Sequence, residues 1–410
     1  MRPPVGRAVV HPAFRRFWWA TSISEAGTYF TTLAVQVLIV VQLGGSAADV
    51  GLVNGARWLP YLLFGVVAGV LVDRMRRRPV LITADFVRAG LLLAVPLLAW
   101  TGSLPILVLA GLMALLGLAS LAGDAAAQAL VPRLVPVDDL TRAHASLDRA
   151  AAVAQAGGPA LAGMLIGLIG AARTVLVDAA SYLVSGVLLL FTRVAEPVPE
   201  RAARQGMWTE IREGLRWVYR HRTLGPFAIA THGWFLFSAL AGVVLVPFAV
   251  DTVGLSPLLL GIALALAGVG AFVGSSAAAW LGERLGTGRL VIAAQAGTGI
   301  AWGVVALTPV SGWAGVVAGA GQFLLGVAMG ASNANEMAYR QSVTPDRLQG
   351  RMNATMRSVN RAMIVIAAPL GGLLADAIGY RPGLFLAAGG MLLTALLLLL
   401  SPFRAARVGE

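Results

Sequence analysis

Apolar positions dominate this chain in long unbroken runs, and the polar residues gather in short segments between them. Twelve runs, at 17–43, 48–72, 79–100, 104–130, 142–169, 172–192, 224–250, 256–281, 289–308, 312–338, 353–378 and 383–402, are each long enough for a helix to cross a bilayer. A hydrocarbon layer of about 30 Å needs about 20 residues at a rise of about 1.5 Å each. Helices are expected because, among open chain segments, only a helix satisfies its own backbone polar groups where water is absent. The pattern therefore predicts an all-α membrane protein of twelve transmembrane helices.

One sizeable hydrophilic stretch, 193–223, divides these runs six and six. The expected organisation is a six-helix bundle over 1–195, a cytoplasmic linker with an amphipathic helix over 196–223, and a second six-helix bundle over 224–410. In the linker Trp208, Ile211, Leu215 and Val218 share a helical face, with Arg212, Arg216 and Arg220 towards the other. That suits a helix lying on an anionic inner leaflet; a plain connector is the competing expectation. Arginines concentrate in the loops after even-numbered spans, which by the positive-inside rule places both termini in the cytoplasm.

Composition narrows the chemistry. Of 410 residues, 58% are hydrophobic and 12% charged, with a mean hydropathy of +0.80, too few charges for an ordinary soluble surface. The net charge of +12 is carried by arginine alone and is read against membrane sidedness, so no nucleic-acid partner is expected. Without cysteine there is no disulfide, thiolate metal site or cysteine nucleophile. Without lysine there is no nucleotide-binding phosphate loop, so energy must come from an ion or substrate gradient. His11, His144, His221 and His232 lack metal-ligand spacing, and no metal or cofactor is expected. The basic N-terminus followed by a run from Phe17 is too long for a signal-peptide core and is read as a retained first helix.

The two halves echo each other. Asp73-Arg74 after the second span returns as Glu283-Arg284 after the eighth, and PRLVPVDDL from Pro132 returns as RQSVTPDRL from Arg340. Both of the latter precede a helix with a proline-glycine break, Gly158-Pro159 to Gly163 and Pro369 to Gly372. Two parallel repeats of six helices around a central cavity follow from this, the architecture in which one half rocks against the other.

The stretch from Gly69 through Asp73, Arg74, Arg77 and Arg78 resembles the cytoplasmic loop motif of the major facilitator superfamily, G-x-x-x-D-[RK]-x-G-[RK]-[RK], with Arg76 in place of its glycine. ARWLPYLLFG from Ala56, GGPALAG from Gly157 and VDAASYLVSG from Val177 are similar to the drug and siderophore exporter branch. The resemblance implies a secondary transporter of the plasma membrane, not an enzyme. It implies export of a hydrophobic or amphiphilic small molecule by proton antiport and alternating access, working as a monomer among membrane lipids. A lipid flippase of the same fold is the alternative. It also implies a conformational latch of Gly65, Gly69, Asp73, Arg74, Arg77 and Arg78, with Arg133 as partner for Asp73 and Arg340 for Glu283, and a kink in helix five at Gly158, Pro159 and Gly163.

Ionisable groups within hydrocarbon are costly and point to function. Glu25, Tyr29, Thr32 and Gln36 fall on one polar stripe of the first helix. Glu25 is the first candidate for proton coupling, since desolvation favours a carboxyl's neutral form and lets it exchange a proton near neutral pH; an ion pair with a neighbouring arginine is the competing expectation. Asp85, three residues before Arg88, and Asp178 follow as candidates. Arg57, Arg88, His232, Trp234, Phe235 and Asn333 are the further candidates for the substrate cavity.

Overall fold

In a computed structural model the described residues are 11–73, 75–192, 194 and 207–407, with side chains described for all of these except 66–73, 207 and 208. They form thirteen α-helices: α1 (Pro12–Val37), α2 (Ala47–Asp73), α3 (Arg77–Trp100), α4 (Ile106–Leu134), α5 (Leu140–Ile169), α6 (Ala171–Leu190), α7 (Met207–Arg220), α8 (Leu224–Pro247), α9 (Pro257–Leu285), α10 (Thr287–Ala306), α11 (Ala314–Ser342), α12 (Asp346–Ile378) and α13 (Tyr380–Leu399). Among the described residues eleven helices are long and apolar enough to span a membrane. With α2, 27 residues long, they make the twelve-helix fold.

The helices extend beyond the apolar runs at their polar ends: α1 begins at Pro12 rather than 17, α4 runs to Leu134 rather than 130, and α12 begins at Asp346 rather than 353. Hydropathy stops where charge begins, whereas backbone hydrogen bonding continues into the interfacial layer.

The twofold repeat of six helices is visible in local geometry. The first helix of each half closes with a π-helical turn, Leu38–Gln42 after α1 and Phe248–Thr252 after α8. The fifth and sixth helices of each half are joined through one glycine, Gly170 at φ 85° and Gly379 at φ 95°, a left-handed conformation that side chains with a Cβ resist. In the first bundle α1 packs on α5 and α6, and α4 on α2 and α3; in the second α9 and α10 pack on α11, and α8 on α12 and α13. His11 lies beside Asp139 at the start of α5, and the Ala406 carbonyl accepts from Gly288 at the start of α10, so both ends of the described chain share one end of the molecule, called proximal below.

The bundles meet along two seams, α2 against α12 and α5 against α9. Both are glycine-lined near the distal end. A Cβ on Gly51 would fall on the Ala368 carbonyl, and one on Gly372 on that of Ala47; across the other seam Gly163 and Gly261 face each other's backbones. Small residues allow such approach, and contact at this range supplies the dispersion that apolar burial cannot supply inside lipid.

Helix α7 corrects one expectation. Gly214 and Val218 are buried against the second bundle, while Glu213 pairs with Arg351 and, at 3.0 Å, with Arg347 on α12. Val218 therefore belongs to a protein-facing side, and the outward apolar side keeps Leu215, beside Tyr219; the side chain of Trp208 lies outside the described residues.

Candidate functional site

A cavity of ≈ 430 Å³ opens on the inner side of the first bundle. The stripe of α1 forms one wall with Glu25, Thr28, Tyr29, Thr32 and Gln36; α2 adds Arg57, Trp58 and Tyr61, and α3 and α4 add Arg88 and Asp124. The stripe forms because these positions recur at helical spacing, and their hydroxyls bond back to their own helix, Thr32 to the Thr28 carbonyl at 2.7 Å. Arg57 turns into the cavity and donates to Thr32 Oγ1 at 3.2 Å rather than reaching for the membrane surface. Among the described residues Glu25 has no ion-pair partner.

Behind this wall lies a charge network. Arg88, 5% exposed, donates to Asp85 Oδ1 at 3.1 Å and to the Ser120 carbonyl at 3.0 Å, and approaches Asp124 Oδ1 at 3.4 Å. Asp85, 1% exposed, also accepts from Ser185 at 2.6 Å. Gly123 leaves the space that the Arg88 guanidinium fills, and the guanidinium carbon lies 5.1 Å from the centre of the Tyr182 ring. Asp85 is thus walled off, and the carboxylate that this network presents to the cavity is that of Asp124, with a side chain 53% exposed. Asp124 is not among the candidates drawn from the sequence, although it stands as a lone acid within the apolar run 104–130.

Asp178 lies off the cavity, accepting from Thr31 at 2.5 Å and Ser181 at 3.0 Å where α6 meets α1, and Gly27 gives it room. It ties two helices together through hydrogen bonds in a dry contact.

In the second bundle a separate cavity of ≈ 290 Å³ is lined by Trp234, Phe235, Gln295, Asn333, Glu336 and Arg340, among others. His232 stands behind its wall, between the Tyr219 hydroxyl at 2.9 Å and Asn360 Oδ1 at 2.6 Å. Gln295, 5% exposed, has no hydrogen-bond partner for its side-chain oxygen among the described residues.

The side chains of Gly69 and Asp73, and the whole of Arg74, lie outside the described side chains, while Gly65 has open space around it. Arg78 donates to the Leu189 carbonyl at 3.1 Å and the Leu190 carbonyl at 2.6 Å, capping α6 within its own bundle. Arg77 opens α3, and Arg133 is exposed at the end of α4. The expected pair of Glu283 with Arg340 does not form: Glu283 is exposed, and Arg340 turns to the second cavity beside Glu336. Helix α5 runs unbroken through Pro159; Gly158 there receives the Tyr29 ring and Gly163 the backbone of α9, so these residues serve close packing.

One contact joins the cavity to the other bundle. The guanidinium carbon of Arg361 on α12 lies 4.3 Å from the Tyr61 ring centre and 5.9 Å from that of Trp58.

The family profile described as transmembrane secretion effector matches residues 8–408. The multidrug efflux pump Tap of Mycobacterium tuberculosis is 33% identical over 226 residues, 52% of either chain, so the matched stretch spans about half the length of that relative. The enterobactin exporter EntS of Salmonella typhimurium is 28% identical over 370 residues, 88% of this chain and 86% of its own. Among solved structures, a bacterial homologue of the iron transporter ferroportin in an inward-facing state superposes with a TM-score of 0.77 at 18% identity, covering 96% of this chain and 99% of its own.

Proposed function

Because the chain belongs to the transmembrane secretion effector family of the major facilitator superfamily, we propose that it exports a hydrophobic or amphiphilic small molecule, of the drug, siderophore or secondary-metabolite kind, across the plasma membrane. The bundles 1–195 and 224–410 rock about their seams, linked through 196–223, with both termini cytoplasmic and one chain sufficient. That Tap is a multidrug efflux pump and EntS an enterobactin exporter supports export.

The observation that carries this reading is the pairing of glycine-lined distal seams with a cavity that holds the carboxylates of Glu25 and Asp124. A cavity shut from the distal face and loaded from the cytoplasmic face is what an exporter needs before it turns over. Two cavity acids supply a place for a proton that competes with the cargo: protonation from outside releases the cargo, and deprotonation inside restores the site. Trp58, Tyr29 and Tyr61 give apolar surface to an amphiphile.

The test is efflux of a fluorescent amphiphile such as ethidium from cells and proteoliposomes, with and without a protonophore. Export that collapses with the proton gradient, and a Glu25→Gln protein that still binds but no longer couples, support the reading. Gradient-independent flux rejects antiport, and normal coupled flux in Glu25→Gln removes Glu25 from the role.

A further inference from the structure

The seam between α2 and α12 ends, on the distal side, in a charge. Asp376, on the last turn of α12, accepts the Ala47 backbone N–H through Oδ1 at 3.1 Å and the Ala48 N–H through Oδ2 at 3.0 Å. Those residues open α2, where amides have no partner in their own helix and the helix dipole favours a negative charge. Asp49, the acid of that same turn, is turned elsewhere: its Oδ2 accepts from the Ser46 N–H at 2.9 Å. Gly372, one turn before Asp376, lets the two backbones approach closely enough for the capping to occur. Among the described residues no arginine or histidine forms an ion pair with Asp376. Tyr380, which opens α13 in the same bundle, also meets this carboxylate through its side chain, and the two backbone hydrogen bonds go to a helix of the opposite bundle.

We propose that Asp376 is the latch of the distal gate, a carboxylate of one bundle capping a helix of the other, engaged while that end is shut and released to water when it opens. The proposal rests on the alternating access argued above and assigns the residue that holds one of its states. Its placement has a counterpart in the chain. Helix α2 ends in Asp73 at the proximal end, and the last turn of α12 carries Asp376 at the distal end, so each helix of this antiparallel pair carries an acid at its C-terminal end. Rocking the bundles exposes the Ala47 and Ala48 amides, and the free energy of that cap enters the balance between the two states directly.

The chain has no cysteine, so labels can be introduced without removing any. Ser103→Cys and Val310→Cys, in the distal loops of the two bundles, would carry spin labels on the full-length protein in lipid nanodiscs, with distances read by pulsed electron resonance. Asp376→Ala is expected to raise the population with the longer distance by about two- to thirtyfold, the range that loss of a helix N-cap spans. Asp376→Asn, which keeps an acceptor oxygen without the charge and guards against misfolding of the alanine variant, is expected to raise it less. Asp49→Asn is expected to leave the distribution unchanged. Unmoved distances in both Asp376 variants overturn the latch, even if the melting temperature falls, and so does an equal shift in Asp49→Asn. Distances that shift while the unmodified protein exports nothing would reject the export reading and leave the latch standing; normal efflux with unmoved distances rejects the latch alone.

Discussion

Tyr61 donates its hydroxyl to Asp124 Oδ2 at 2.6 Å while the Arg361 guanidinium, carried by the other bundle, stands 4.3 Å from the centre of the same ring. A single side chain thus joins the cavity carboxylate of one half to a cation of the other. Tyr61→Phe keeps the ring and removes the hydrogen bond. Because Asp124 is half-exposed, water takes the vacated place, and the expected loss of apparent stability is about 1 kcal/mol by thermal unfolding in detergent. A loss beyond about 3 kcal/mol would show that the hydroxyl satisfies more than this one carboxylate.

Arg88 and Asp85 form a buried pair, in which Arg88 has Asp124 as a second acid and Asp85 has the Ser185 hydroxyl as a second donor. Arg88→Ala is expected to lower stability by about 3–5 kcal/mol, since it leaves the Asp85 charge uncompensated. Adding Asp85→Asn to that variant should recover part of the loss, which a double-mutant cycle on melting curves measures. Strict additivity would mean that the two groups are not coupled.

At the seam of α5 with α9, Gly261 faces the Pro159 carbonyl and the Gly163 backbone, whereas Gly167 on α5 has open space around it. Gly261→Ala must part the helices or fail to close, so its transport rate is expected to fall at least about tenfold with expression retained. Gly167→Ala, on the same helix pair, should transport normally. Equal rates in the two variants would remove close packing at this seam from the cycle.

His221 caps the approach to α8, its Nδ1 accepting the Leu224 N–H at 3.2 Å. Burial pushes its pKa below the usual histidine value, so the unfolded chain binds the proton more readily than the folded one. Stability from this corner is present above about pH 6.5 and is lost as pH falls through the lower folded value. The protection factors of the Thr223 and Leu224 amides, taken relative to intrinsic exchange at each pH, are therefore expected to fall at pH 5.5 relative to pH 7.5, and a His221→Asn protein should lose that dependence.

The cavity wall on α1 was legible because Glu25, Tyr29, Thr32 and Gln36 recur at helical spacing in an otherwise apolar run, and a polar stripe there has only a cavity to face. His232 was not placeable from its neighbours: Trp234 and Phe235 line the second cavity, but His232 is taken by Tyr219 and Asn360, one of them 128 positions away. Asp124, Arg361 and Asp376 each sat in the chain as a charge within or beside an apolar run. What they do depends on partners from other helices, and spacing along one helix carries no record of those.

Hydrophobic run length by itself determined the helices, their number and their membrane setting, because thirty ångströms of hydrocarbon admits few alternatives to a helix of about 20 residues. Sequence repetition likewise determined the division into two like bundles. Only the tertiary structure decided which acid faces a cavity and which is buried against its neighbour, as with Asp124 and Asp85, and that Asp376 caps α2 rather than meeting lipid headgroups. The reason is one of distance: burial and hydrogen bonding act over about 3 Å, and the helices that come that close are chosen by packing between segments hundreds of residues apart.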